Sequence, residues 1–247
     1  MQDQHTAALR AAAYVEAHGD ALARLRASAL VGRAAAADVV ALLAPAPADT
    51  ASLCFALAVC DDLRALADPR VEAWVEALAR SQSSDGGFAA ELELEARLFD
   101  TGMIAGHLVK TRCARPEVLG AAAEFLARHW SPDRVRGGSW HAIAGYAHFF
   151  ANADHDAADA VLQWCGRELG RAFATRAFDA VRTARVLVYC DAHGLPGAEL
   201  LPADLLVALL TEQASDGSFA AWEGEGARDR VESTLDGLVA LRRLQNH

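Results

Sequence analysis

Two kinds of residue in this 247-residue chain could do chemistry. The first are acidic residues that open apolar runs: Asp49-Thr-Ala, Asp100-Thr-Gly, Asp179-Ala-Val and Glu232-Ser-Thr. At a helix start, a carboxylate accepts hydrogen bonds from the unpaired N–H groups of the first turn and is favoured by the helix dipole. At the mouth of a cavity, the same carboxyl is a proton donor. Both readings stand for each of the four. The second kind are polar residues inside apolar runs: Ser52, His107, His141, Tyr146, His148, Arg182, Arg185 and Asp236. An unpaired buried charge costs on the order of several kcal/mol. Such residues must pair, reach a helix end, or line a cavity.

These sets give a candidate site for proton transfer. Asp100 and Asp49 are the candidate acids, and His107, seven residues after Asp100, is the relay. His148, Arg182 and Asp236 could stabilise charge, while Trp140, Tyr146, Phe149 and Tyr189 could wall a substrate and favour a cation through their π faces. A low-dielectric lumen raises a carboxyl pKa and lowers that of a histidine, bringing both towards neutrality. His141 shares a helix face with His148, and Trp222 leads a polar loop that could cover a mouth. The run Asn152, Asp154, His155, Asp156, Asp159 reads as helix capping or as a metal site. No other set of Cys, His or Asp has ligand spacing, so neither a metal nor a cofactor is expected.

The elements that must position these residues show in an internal repeat. Gln82-Ser-Ser-Asp85-Gly86-Gly87-Phe88 recurs 131 residues later as Gln213-Ala-Ser-Asp216-Gly217-Ser-Phe219. A looser copy joins Trp130-Ser-Pro-Asp133 to Gly137-Gly138-Ser-Trp140. Each copy follows an amphipathic helix that starts near a proline (Pro69, Pro116, Pro202), where a missing N–H is harmless. The stripes are Val71, Trp74, Val75, Leu78, then Val118, Ala122, Phe125, Leu126, then Leu205, Leu206, Leu209, Leu210. Before each amphipathic helix lies one that is apolar nearly all round and should be buried. His141–Ala151 and Asp156–Leu169 form a further unit without the motifs. Nine helices are expected from Asp49 to Gln245, and two or three more before Ala44.

Composition agrees. Alanine and leucine dominate the 53% hydrophobic fraction, and both favour helix. A net charge of -10 argues against nucleic acid and anionic membranes as partners. Five cysteines without Cys-x-x-Cys spacing argue against a disulfide framework. No apolar run reaches the length of a membrane span, and Met1–Asp20 reads as an amphipathic segment rather than a leader. The expected location is the cytoplasm.

The repeated Gln-x-x-Asp-Gly turn and the Asp-Thr-Ala helix start resemble the repeat of terpenoid cyclases (squalene/hopene cyclases) and protein prenyltransferase β subunits. The resemblance covers residues 45–245. It implies an all-α, α/α-toroid fold of five to six helical hairpins without a sheet. Residues 1–44 would be N-terminal helices, and residues 45–247 the hairpins of the same domain. The prenyltransferase zinc motif Asp-x-Cys matches Asp100-Thr101-Gly102 and Asp49-Thr50-Ala51, where no cysteine stands. The cyclase motif Asp-x-Asp-Asp-Thr-Ala matches Ala46–Ala51, with Ala48 at the protonating position and Asp49 at the last Asp. The implied function is acid/base-assisted cyclisation or isomerisation of a hydrophobic, unsaturated small molecule in a central cavity, as in natural product biosynthesis. Two alternatives remain: a non-catalytic helical-repeat binding protein, and a zinc-independent prenyltransferase-like transferase.

Overall fold

The computed structural model describes residues 3–44 and 49–244, so Ala46–Ala48 of the cyclase-like motif lie outside the described residues. Thirteen helices lie within them: α1 Gln4–His18, α2 Ala21–Leu30, α3 Ala36–Leu43, α4 Thr50–Asp62, α5 Arg70–Ser81, α6 Leu94–Val109, α7 Pro116–His129, α8 Pro132–Val135, α9 Trp140–Asn152, α10 Ala158–Ala174, α11 Ala180–Tyr189, α12 Pro202–Glu212 and α13 Arg230–Arg243. There is no sheet among the described residues, only a lone antiparallel bridge between Trp222 and Arg228. None of these helices is long and apolar enough to cross a membrane.

Inner and outer helices alternate as the apolar patterns require. Trp140 to Phe150 of α9 and Ala180 to Tyr189 of α11 are buried on most faces. By contrast α5 buries only Val71, Trp74, Val75 and Leu78, and α12 only Leu205 and Leu209. Pro116 and Pro202 open α7 and α12, and Pro69 precedes α5. One apolar cluster draws on every helix.

The neighbour relations form a cycle. α4 packs on α6, α6 on α9, α9 on α11, α11 on α13, and α13 on α2. The step from α2 back to α4 is made by Arg26, whose guanidinium lies 5.5 Å over the Phe55 ring and 3.7 Å from Asp62. The helices α1, α3, α5, α7, α10 and α12 lie outside this cycle. The fold is thus all-α, with the inner helices following one another from α4 to α13 and on to α2.

The repeated turn ties each hairpin to the next. The Gln82 side-chain amide donates to the Gly86 carbonyl of its own turn and to the Val118 carbonyl of α7, both at 2.9 Å. Gln213 repeats this at 2.9 Å with Gly217 and with Ala7 of α1. So α1 stands to the last hairpin as α7 stands to an internal one, and the N-terminal helix closes the cycle. Gly86 (φ +94°) and Gly217 (φ +92°) take a conformation that favours glycine. A Cβ at either would also strike a backbone carbonyl of the neighbouring outer helix, Ala121 or Arg10. The aromatic after the turn is buried, and its N–H donates to a threonine on the following inner helix: Phe88 to Thr101 at 2.9 Å, Phe219 to Thr234 at 3.0 Å. The looser third copy forms the short α8 instead.

α6 and α9 cross most intimately. A Cβ on Gly102 would collide with the Gly145 backbone, and one on Gly145 would sit 3.2 Å from Phe99 Cα. Alanine at Gly102 would gain about 1 kcal/mol of helix propensity. Overpacking costs about 1–3 kcal/mol or more when the obstacle is backbone. The expected outcome for Gly102→Ala is therefore net destabilisation, read as a lower urea midpoint with unchanged m-value. For Gly120→Ala, where the added Cβ meets nothing, the midpoint should hold or rise.

Candidate functional site

The four acidic openings separate by role. Asp49 caps α4, accepting from the Ser52 N–H at 2.8 Å, and these bonds hold its carboxyl below the usual range. Asp179 caps α11 through the Arg182 N–H at 2.7 Å. Asp229, not Glu232, caps α13, accepting from the Glu232 N–H at 2.9 Å. Asp100 caps nothing, because α6 starts at Leu94 with Glu93 before it. The sequence pattern placed that helix start too late. The run from Leu94 to Phe99 completes the first turns of α6, so Asp100 lies inside the helix.

A cavity of about 580 Å³ lies between α2, α4, α6, α11 and α13. Its apolar wall includes Phe55, Val59, Phe99 and Met103, with Cys54 among them. Burial pushes the Cys54 thiol up to about 12, which disfavours a thiolate nucleophile. Asp100 lines this cavity and makes no hydrogen bond or ion pair among the described residues. Burial first, and then the nearby Glu91 charge, raise its carboxyl above the usual range. The loop after Phe219 borders the mouth through Ala227, Arg228 and Asp229. Trp222 anchors that loop: its indole N–H donates to the Gly226 carbonyl, and Arg182 donates to the Glu223 and Glu225 carbonyls at 3.1 and 2.7 Å.

The deeper wall is ionic. Glu232, Arg26, Asp62, Arg185, Asp236 and Arg228 form an unbroken chain of alternating charge, three of each sign. Arg26 lies 3.3 Å from Glu232 and 3.7 Å from Asp62. Arg185 lies 2.5 Å from Asp62 and 3.4 Å from Asp236. Arg228 lies 3.4 Å from Asp236. Arg185 also sits 4.3 Å over the Tyr189 ring, so this aromatic already carries a cation of the protein. Asp236 is thus a partner of two arginines rather than a free acid.

His107 lines the cavity floor, and His148 lies behind it with ring centroids 4.4 Å apart. Burial, reinforced by Lys110 and Arg185, pushes His107 down to about 3, and burial with His107 beside it takes His148 well below its ordinary range. The lumen therefore moves the histidines past neutrality, and His107 is a weak proton acceptor. Asp61 of α4 completes a buried group with these two rings, their candidate ligand atoms all within 4.8 Å of one another. Spacing in the sequence could not show this set, since its members come from α4, α6 and α9. In the Asn152–Asp159 run, His155 Nδ1 accepts from the Ala157 N–H at 3.1 Å, just before α10, whose start has no side-chain cap.

The remaining predicted wall residues lie elsewhere. His141 and Tyr146 line a second cavity of about 330 Å³ between α6 and α9, shared with Phe99. Trp140 packs against Trp222 and donates to the Arg182 carbonyl at 3.3 Å, and Phe149 is in the apolar core. Of the predicted set, only Asp100, His107, Asp236 and Tyr189 line the central cavity. Arg26, Asp62 and Arg228 were missed. Asp61-Asp62 at an inner-helix end was a visible signal for one of them.

Removing Arg185 would leave Asp62 without its closest partner and Asp236 with Arg228 alone. Breaking a buried pair on one side costs about 3–5 kcal/mol. The expected result for Arg185→Met is a loss of that order in urea unfolding, against under about 0.5 kcal/mol for the exposed Arg136→Ala.

No family model and no curated protein matches the chain. Among solved structures it is similar to a protein from Actinoplanes, with a TM-score of 0.63 and 15% identity over 98% of this chain and 99% of that one. At that identity the likeness shows a shared fold.

Proposed function

We propose that the chain is an enzyme that cyclises or isomerises a small, largely apolar, unsaturated molecule in the central cavity, with Asp100 as the acid. The observation that carries this reading is Asp100 itself: a carboxyl on an apolar wall, uncommitted to any cap or ion pair, with a raised pKa. A carboxyl that holds its proton to higher pH than an ordinary aspartate can pass that proton to an alkene carbon. The resulting carbocation would face Phe55 and Phe99, and the Asp100 carboxylate can take a proton back from a neighbouring carbon. Proton in and proton out balance, so no further reactant is needed. The substrate class rests on the resemblance of the repeat, which is analogy.

A second reading, a non-catalytic binding protein, draws on the ionic chain, whose charges are paired with one another rather than left free for catalysis. Deuterium separates the two. Incubated in D₂O with a panel of acyclic and cyclic unsaturated terpenoids, the enzyme should return at least one of them rearranged or carrying carbon-bound deuterium by mass spectrometry. Asp100→Asn should lower that rate about 10²- to 10⁴-fold at an unchanged melting temperature. Tight binding without isotope uptake or rearrangement would leave the binding reading. The rate should also fall as pH rises through the Asp100 pKa, because only the protonated carboxyl donates. Since that pKa is raised, the fall should come at higher pH than for an ordinary aspartate.

A further inference from the structure

At and behind the floor of the central cavity, four imidazole nitrogens stand without a hydrogen-bond partner. His107 and His148 are buried, and both ring nitrogens of each are unsatisfied. Buried polar atoms are rarely left so, and a pair of orphaned rings in one place calls for a specific occupant. Asp61, also buried, lies beside them, with Oδ2 3.7 Å from His107 Nδ1. The fold makes room for the second ring: a Cβ on Gly106 would fall 2.5 Å from His148 Cγ. Two imidazoles and a carboxylate from three rigid helices form a donor set that suits zinc and other first-row divalent ions.

A cationic group already sits at the carboxylate. Lys110 Nζ donates to Asp61 Oδ2 at 2.7 Å, and Arg243 lies 3.5 Å from Oδ1. Lys110 follows the last residue of α6 and borders a surface groove of about 380 Å³ with Arg64 and Arg112. Its ammonium can turn out into that groove, freeing Oδ2 for a metal ion.

We propose that Asp61, His107 and His148 bind one divalent first-row transition ion, with Lys110 holding the carboxylate when the ion is absent. His107 lines the central cavity and Asp61 the surface groove, so the site would lie between the two. The site does not depend on the chemistry of Asp100. A protein that binds the ion but rearranges no substrate would keep this inference and lose the proposed function.

The test is titration of chelator-treated protein with Zn²⁺ by calorimetry and with Co²⁺ by visible absorption, folding being checked by circular dichroism. One ion per chain is expected, with a Co²⁺ spectrum showing nitrogen and oxygen donors. His107→Gln and His148→Gln should each weaken binding more than about 100-fold, beyond the usual cost of an outer-shell change. Lys110→Met should tighten it about tenfold or more, by removing a competitor for a charged acceptor. That variant decides the matter even if the histidine variants fail to fold. No stoichiometric binding would overturn the proposal. So would affinity unchanged in a folded histidine variant, or affinity no tighter in Lys110→Met.

Discussion

The six-charge chain from Glu232 to Arg228 is the constraint that shapes the centre of this molecule. Its members come from α2, α4, α11, α13 and the loop before α13. Charges taken out of water are costly, and pairing offsets that cost only when each has a close partner. Alternation of sign along the chain gives each interior member two. The same groups cannot be pressed into an alanine and leucine core, so the inner helices that carry them stay apart and a cavity lies between. The apolar lining of that cavity comes from α4 and α6, and most of the ionic chain from α11, α13 and the loop before α13.

The contacts between the chain's first and last helices supply the complementary restraint. The Gln82 and Gln213 clasps each lock a turn to the next outer helix, and the second uses α1. An open solenoid leaves its terminal faces uncovered. Here the face of α13 is covered by α1 and α2, and the Arg26 link to Asp62 spans the same seam from within. The clasps set the circumference from outside, and the ion chain resists collapse from inside.

Much of the architecture was legible in the sequence because it is local. Helix pattern, proline starts and glycine turns are written within a dozen residues of each other, and the repeat extends them to the hairpin. The buried polar residues on inner helices were also visible, and most are buried. Which of them share a site was not visible. Tyr189 and Asp236 reach the cavity while Tyr146 and His141 do not, because that depends on how far each inner helix is rotated. Asp49 and Asp100 looked alike in sequence, yet one caps a helix and the other lines the lumen. The difference lies in where α6 begins, six residues before Asp100. Arg26 joins the chain from a helix on which no functional motif was seen, and Arg228 from the Trp222 loop, where the arginine itself was not singled out.

The claim that the ion chain keeps the lumen open is tested most directly by replacing its middle with apolar residues of similar size: Asp62→Leu, Arg185→Met and Asp236→Leu together. Buried ionic clusters so replaced are often as stable or about 1–4 kcal/mol more stable. The account predicts a folded variant whose crystal structure shows α4 and α11 drawn together and the cavity of about 580 Å³ largely lost. A folded variant with the inner helices in place and the cavity still open would contradict it.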